Sequence, residues 1–476
     1  MEKTFYKITP TFKRTKIIAT VGPSTNSYDK IRDLVAAGAN CLRMNFSHGT
    51  HQEKAQQIEW GRQASKELGK PVALYADLQG PKIRLGDLDG NHFNVKAGDE
   101  LTLKFGAEQS GKILPIQYDI STRVKPGERV FLFDGHIRST ATAVGDGFVK
   151  VKVENDGFLM SRKGVNMPDT DFSGEALTPK DYKDLEFIVK NDYDYVALSF
   201  VNHKDDVEML REQLAAGGSQ AKIIAKLETR AGVAEDRLEK IVQAADAVMV
   251  ARGDLAYEVE PEAVPTTQRE IIRLCQKHSK ISIVATQMML SMVDNPMPTR
   301  AEVNDVAHAV IVGADCVMLS DETANGHYPI EAVKAMKRVI LYTENNAKDF
   351  HTLAEPERED SVTNLVAEAA AKLARRIDAA AIVAQTSSGR TAYAIAAERP
   401  HCPIISVTST PRVGQQLTLL YANKVFLRDE SATASHDLAK ELIAKNYLPK
   451  GSKIVTVSGA EAGKSGATNT LRVFEM

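Results

Sequence analysis

Eight short runs rich in β-branched residues recur along the chain with amphipathic helical stretches between them, and no other feature restricts the fold as strongly. The runs are Lys16–Thr20, Cys41–Phe46, Val72–Asp77, Tyr195–Phe200, Lys222–Lys226, Ala247–Ala251, Ile281–Ala285 and Cys316–Leu319. Helical periodicity occupies Tyr28–Ala36, His51–Glu67, Thr178–Lys190, Pro265–Lys277, Thr299–Val312 and Ile330–Thr343. Strand, helix and strand in that order return the chain parallel to itself. Eight such units close naturally into a (β/α)₈ TIM barrel, an α/β fold.

One interval breaks the rhythm. Between the third run and its helix lie about ninety residues, Lys82 to roughly Phe172, far beyond an ordinary connection. Its texture, GDLDGNHFNVKAGDELTLKF and GERVFLFDGHIRSTATAVGDGFVKVKV, alternates between faces and turns at Gly and Asp-Gly. That reads as a small antiparallel β-barrel inserted over the active-site face, a lid that excludes water. After Thr343 a polar stretch, ENNAKDFHTLAEPERED, leads to a second α/β series over Val362–Met476 with about five more strands. The expected division is residues 1–81 with 173–346 for the barrel, 82–172 for the lid, and 347–476 for a C-terminal α/β domain. At roughly 150 residues per domain, a chain of 476 residues accommodates all three.

The charge balance, 60 Lys and Arg against 62 Asp and Glu, leaves no polycation to track nucleic acid. Cys41, Cys275, Cys316 and Cys402 stand singly without C-x-x-C spacing, which argues against a disulfide framework or structural zinc and for a reducing compartment. The N-terminal MEKTFYKITPTFKRTK has no apolar core, and no window approaches a membrane span. The expectation is a cytoplasmic protein.

Chemistry-bearing residues cluster where runs end. In CLRMNFSHG, Arg43, Asn45, Ser47 and His48 crowd the end of the second run, and an Arg at a barrel rim is a ready phosphate clamp. In AKLET, Lys226 and Glu228 share one side of a strand end, and Asp254 in ARGDLA follows the next strand. Two carboxylates beside an ammonium suit a divalent ion and a phosphoryl oxygen. Gly253 permits close backbone approach. Thr286 follows the seventh run, and Ser320 and Glu322 the eighth. Singly, Thr286 reads as a helix cap and Ser320 as a turn hydroxyl. Convergence of polar groups at the ends of runs two, three, five, six, seven and eight makes the rim a phosphate-and-metal site.

The strings RMNFSHG, DLQGPKIR, KGVN, AKLET, ARGD, ATQMM, NPMPTRAE and MLSDETANG, in this order and spacing, resemble the pyruvate kinase family over nearly the whole chain. The resemblance implies transfer of a phosphoryl group from phosphoenolpyruvate to ADP, giving pyruvate and ATP. It implies Mg²⁺, with Mn²⁺ as the alternative, on Glu228 and Asp254, and a second Mg²⁺ arriving with ADP. Lys226 and Arg43 would neutralise the phosphoryl group, while Gly253, Asp254 and Thr286 would hold the other end of the substrate. A water near Thr286, Ser320 and Glu322 would protonate the enolate. Asn45, His48, Arg84 and Lys163 match positions facing the nucleotide. Potassium in the family is bound by groups matching Asn45, Ser47, Asp77 and the next residue, here Leu78. Such members carry Glu where this chain has Lys82, so a tethered ammonium implies activity without potassium. Glu53, Ala256 and Asp321 are further departures from the family pattern.

In AQTSSGRTA, Thr386, Ser387, Ser388, Gly389, Arg390 and Thr391 lie between a strand and a helix, a phosphate cradle or an ordinary capped turn. The resemblance makes it the site of an allosteric sugar phosphate or AMP, over which the loop SGAEAGKSGATNT would close, and implies a homotetramer. Two rival readings remain. A metal-dependent barrel aldolase would share Arg43 and the carboxylates but has no use for Lys163 or DLQGPKIR. A dead phosphometabolite sensor has no use for a buried, costly charge cluster.

Overall fold

The computed structural model describes residues 12–171, 176–347, 358–459 and 468–475. The expected lid boundary at 172/173, residues 348–357 of the polar connection and residues 460–467 of the C-terminal loop lie outside the described residues.

Eight parallel strands close into a barrel in which each pairs with its chain neighbours and the eighth returns to the first. They are Lys16–Val21, Cys41–Asn45, Ala73–Asp77, Tyr195–Leu198, Lys222–Leu227, Ala247–Ala251, Ile281–Ala285 and Cys316–Leu319. The fourth stops two residues short of expectation because Phe200 turns to φ 56°, outside the strand region. Third and fourth strands stay adjacent despite the long insertion between them, with Ala197 opposite Asp77. Helices start where the caps place them: Thr50, Thr178 and Thr299 each close a capping box with an acidic residue three positions on.

Strand residues alternate between two cores. Ile17, Leu42, Leu74, Val196, Ile223, Val248 and Val317 face the helices, while Ile18, Tyr75, Tyr195, Ile224, Met249, Ile283 and Met318 fill the bore. The Tyr75 hydroxyl meets Met318 Sδ across it at 3.1 Å.

The insertion has its own core, from Ile83 to Met167. Its strands join as the expected small β-barrel. A four-stranded sheet (Ile113–Ile116, Glu100–Phe105, Phe148–Val153, Ser139–Gly145) is tied by single bridges, Leu85 to Ile116, Arg84 to Gly164 and Arg129 to Thr140, to the ribbon Phe131–Leu132 with Val165–Asn166, and a second ribbon pairs Phe93–Val95 with Gly157–Leu159. One pairing departs from the expected antiparallel order. Glu100–Phe105 and Ile113–Ile116 run parallel. Gly106 (φ 67°) and Gly111 (φ 57°) turn the chain twice between them, so it re-enters in its original direction.

The C-terminal sheet has the five expected strands, parallel except for the last, Thr468–Glu475. It plugs the end of the barrel where the strands begin. Lys16 Nζ donates to Asn423 O at 2.8 Å, Tyr195 Oη to Gln416 O at 2.6 Å, Lys222 Nζ to Tyr393 Oη at 2.7 Å, and Cys316 Sγ to Leu419 O at 3.1 Å. Between the eighth strand and this domain, the buried Arg399 guanidinium grips Asp315 at 3.1 and 2.8 Å and covers the Tyr421 ring. Asp315 also accepts from Ser282 N and Tyr421 N. All four cysteines are buried and free, and among the described residues no helix is long and apolar enough to cross a membrane.

Truncating Arg399 strands the Asp315 carboxylate in an apolar seam. Arg399→Met should cost about 3–5 kcal/mol, read as a fall in the chemical-denaturation midpoint, whereas truncating the exposed Arg162–Asp87 pair should change it little.

Candidate active site

On the first, second, third and fifth strands the inward file turns polar at its C-terminal end, as Thr20, Arg43, Asn45, Asp77 and Lys226, whereas on the sixth to eighth it stays apolar to Ala251, Ala285 and Met318. Ser199, Glu228 and Ser320 follow just past strand ends. Arg43 Nε donates to Asp77 Oδ2 at 2.7 Å, and its Nη1 to Thr20 Oγ1 at 3.1 Å. Lys226 Nζ lies 2.9 Å from Glu228 Oε1 and donates to Ser199 Oγ at 2.6 Å. It is also 3.4 Å from Asp77 Oδ1, a charge contact without hydrogen-bond geometry.

Burial pushes the Asp77 carboxyl up, but Lys226 and Arg43 outweigh it and hold the pKa below the usual carboxylate range. Burial likewise opposes the Lys226 ammonium, yet Asp77 and Glu228 raise its pKa. Glu228 goes the other way: burial raises it, and the nearby Asp254 charge adds to that against Lys226. Dry ion clusters rarely repay their desolvation, so such a group marks function rather than stability.

Glu228 and Asp254 fit a divalent cation, because two hard carboxylates that repel each other are relieved by a shared positive ion. Among the described residues no group of three or more His, Cys, Asp or Glu side chains is placed to hold a metal. Remaining oxygens would come from substrate and water, as magnesium prefers.

Thr286 sits at φ 66°, a strained position for a β-branched residue, with Gln287 at φ 54° beside it. Its hydroxyl donates to Ala285 O at 2.6 Å and accepts from Gly253 N at 2.8 Å. The Gly253 N–H is therefore engaged with protein in this structure. A Cβ on Gly253 would meet nothing closer than Thr286 at 3.6 Å, so no protein neighbour demands glycine there. Arg252 Nη2 braces the strained turn through Thr286 O at 2.6 Å. Glu322 is buried, with its oxygens accepting from Met289 N (3.0 Å) and Ser320 N (2.7 Å), and burial raises its pKa. Asp321 accepts from Asn325 Nδ2 at 2.8 Å and adds negative potential at Arg43 and His48.

Asn45 Oδ1 accepts from Ser47 N at 3.0 Å, and Leu78 is buried with its carbonyl taken by Ser199 Oγ at 2.8 Å. His48 lines a surface hollow with Gly49, Thr50 and Lys54, and burial and then Arg84 lower its pKa. Arg84 donates to Arg162 O at 3.0 Å, while Lys163 Nζ lies 5.5 Å over the Phe133 ring. Lys82 Nζ pairs with Asp254 at 2.7 Å and the lid's Asp134 at 3.5 Å, so its recorded partners do not include Asn45, Ser47 or Asp77. The lid rests on the helix Arg252–Glu258. Gly135 (φ 82°) lies so close to Tyr257 that a Cβ would come within 2.2 Å of its ring, and Arg129 reaches Glu260 at 2.8 Å.

At the lid's root, Pro81–Ile83 and Val165–Pro168 enclose a 70 Å³ cavity with Glu258. Its carboxyl accepts from Arg230 N at 3.3 Å, and burial pushes its pKa up to about 7. Asn166 Oδ1 is buried there without a partner among the described residues.

At the opposite end of the barrel, Thr386–Thr391 lines a 400 Å³ cleft with Arg428, His436 and Arg472. Thr386 Oγ1 accepts from Gly389 N at 2.9 Å, fixing the turn.

Strands one and four also contribute, through Thr20 and Ser199. Both lie at inward positions that period-two counting from Ile18 and Tyr195 reaches. Arg428 and Arg472 carry no local signal, because only the sheet order brings them to the cleft.

The family model described as "Pyruvate kinase, barrel domain" matches residues 12–333, and "Pyruvate kinase, alpha/beta domain" matches residues 364–474. A pyruvate kinase of Agrobacterium vitis is 40% identical over 471 residues, covering 97% of this chain and 98% of its own. One from Geobacillus stearothermophilus is 38% identical, covering 97% and 80%. The crystal structure of a pyruvate kinase from Cryptosporidium parvum superposes with a TM-score of 0.90 at 31% identity, over 98% of this chain and 97% of that one.

The Glu258 carboxyl carries a raised pKa, so the cost falls on its ionised form. Below the ordinary carboxylate pKa of about 4.5 there is no penalty. As pH rises to 7 the folded chain holds a proton the unfolded chain has released, and stability falls until both are ionised. Glu258→Gln escapes this loss. It should be more stable than wild type by about 3 kcal/mol at pH 8 and match it at pH 4.5; an equal difference at both pH values would refute the reading.

Proposed function

Since the chain belongs to the pyruvate kinase family, we propose that it moves the phosphoryl group of phosphoenolpyruvate to ADP, giving pyruvate and ATP, at the rim around Lys226. The observation that carries this is the cation pair Arg43 and Lys226, both fixed on the buried Asp77. Two preorganised positive charges at a barrel rim stabilise a transferring phosphoryl group without reorganising. Asp77 keeps both protonated and aimed. Glu228 and Asp254 would hold Mg²⁺ or Mn²⁺, which supplies further charge neutralisation at substrate oxygens when bound. Gly253 leaves room for the substrate's carboxylate end, beside Thr286. Ser320 and Glu322 would order the water that protonates the enolate carbon, and Asn45, His48, Arg84 and Lys163 would face the nucleotide, the last from the lid.

Potassium is dispensable in this reading. The Lys82 ammonium stands permanently beside Asp254, where burial works against its charge but Asp254 and Asp134 keep it protonated. The 400 Å³ cleft with Arg390, Arg428 and Arg472 supports an allosteric sugar phosphate or AMP at Thr386–Thr391. The domains divide as residues 1–81 with 173–346, 82–172 and 347–476. Bare Met297 and Tyr342, 73% and 72% exposed, support a homotetramer, which light scattering measures. Four buried free thiols suit the cytoplasm.

Lys226→Met should lower turnover by on the order of 10²–10³-fold in a coupled assay of pyruvate formation. In tetramethylammonium buffer, KCl should leave the wild type unchanged and stimulate Lys82→Glu many-fold; stimulation of the wild type would refute the Lys82 role. Arg390→Ala should abolish activation by the sugar phosphate or AMP that works, with the basal rate intact.

A further inference from the structure

The hollow beside the end of the second strand has a volume of about 260 Å³. It is lined by Phe46, His48 and Gly49 of the turn, by Lys54 in helix His51–Glu67, and by Lys180 and Asp184 of helix Pro179–Lys190. Most of its charge is committed. Asp184 meets His51 Nε2 at 2.7 Å and Lys180 Nζ at 2.6 Å, and Lys180 Nζ also donates to Phe46 O at 2.6 Å.

Lys54 is the exception. The residue is only 5% exposed, and its ammonium has neither a hydrogen bond nor an ion pair among the described residues. Glu53, next along the chain, spends its carboxylate on the helix cap, accepting from Thr50 N at 2.7 Å. Yet Lys54 Nζ is not sealed, and keeps surface facing the hollow. Three features make this a poor place for a positive charge. Water is nearly excluded, which costs an unpaired ammonium heavily. Lys54 is the fourth residue of its helix, in the first turn, where the positive end of the helix dipole repels cations. Burial lowers its pKa, and among the neighbouring charges Arg43 and Lys180 add to the fall while Glu53 and Asp184 oppose it. A methionine would fill much the same space without these costs. A charge held against all three marks a binding group rather than a structural one.

The partner it lacks is an anion, and the position of the hollow narrows the chemistry. His48 opens onto it, and after burial the cations that lower the His48 pKa are Arg84, Lys54 and Arg43. Three cations therefore act on one point of the turn, and one of them, Arg43, belongs to the cation pair at the rim. A chain of phosphates that starts at Arg43 and passes His48 arrives at Lys54. We propose, on the reading that His48 faces the nucleotide, that Lys54 is a further nucleotide-binding residue whose ammonium takes a phosphate oxygen of a nucleoside diphosphate. Gly49 (φ 78°) keeps the approach open, since a Cβ there would stand 2.9 Å from Glu53 Oε2 and 3.4 Å from Lys54 Nζ.

The test is steady-state kinetics of the full-length chain, with ADP and phosphoenolpyruvate varied in turn, for wild type, Lys54→Met, Lys54→Arg and His48→Asn. Lys54→Met should raise KM for ADP on the order of ten-fold with little change in KM for phosphoenolpyruvate, and Lys54→Arg should recover most of the loss. GDP as acceptor should show the same rise, because a phosphate contact does not read the base; a rise confined to one base overturns the phosphate contact. Should Lys54→Met fail to fold, Lys54→Gln carries the same expectation. If the wild type does not turn over, equilibrium dialysis against ³²P-labelled ADP reads the same loss of affinity. An unchanged KM for ADP in Lys54→Met, with a raised one in His48→Asn, overturns the Lys54 assignment and leaves the nucleotide at His48. Unchanged in both variants, it overturns the two together. Equal rises in both KM values that Lys54→Arg does not recover show a structural role alone and overturn the proposal as well.

Discussion

Strand parity in a closed barrel is the constraint on which the rest depends. Once eight strands close with fixed register, every second residue faces the bore, and the same file that fills the centre must emerge at both ends. The fifth strand shows the consequence: Lys222 meets Tyr393 of the C-terminal domain, Ile224 packs the bore, and Lys226 carries the charge at the rim. Four residues of strand, about 13 Å, separate the two lysines. The second and third strands repeat the pattern, with Cys41 and Ala73 in the bore and Arg43 and Asp77 above them.

Parity also decides what was legible in the sequence. Ala247–Ala251, Ile281–Ala285 and Cys316–Leu319 have the bounds their apolar runs give, because each ends where a polar residue follows. Arg43, Lys226 and Glu228 could be placed on one rim from spacing alone. Which partners they choose could not, because Asp77 reaches Arg43 through the register of adjacent strands and Lys226 past an intervening strand, and neither is written along the chain. Nothing in the sequence distinguishes Thr20 and Ser199 from any other strand-end hydroxyl, for the same reason. In the lid the text alternates as an antiparallel barrel would, yet Glu100–Phe105 and Ile113–Ile116 run parallel, since two glycines with positive φ are silent about where the chain re-enters.

If Lys82 takes the place of potassium as proposed, it shows how a covalent tether differs from a bound ion. A free cation must be recruited and pays association entropy each time, whereas a lysine holds its charge at the site whatever the medium. The tether has a second consequence. Lys82 leaves the barrel at the lid's root and pairs at once with Asp254, at the rim, and with Asp134, in the lid. In the proposed reading, the cation that supplies charge would also report lid position, which a diffusible ion bound at the rim need not do.

The far end of the barrel is built so that its state is not isolated from the rim. The bore and the C-terminal domain form one apolar cluster, from Ile18 and Met318 through Cys316 to Leu419 and Tyr421. Close-packed interiors shift between discrete arrangements rather than deforming smoothly. A ligand that moves the Ser388–Arg390 turn moves the helix beginning at Arg390, and with it Tyr393, whose hydroxyl is tied to Lys222 and lies 3.3 Å from that of Tyr195. Both contacts land on first residues of barrel strands, so the inward file that sets the rim is also the first part of the barrel to feel a change in the C-terminal domain.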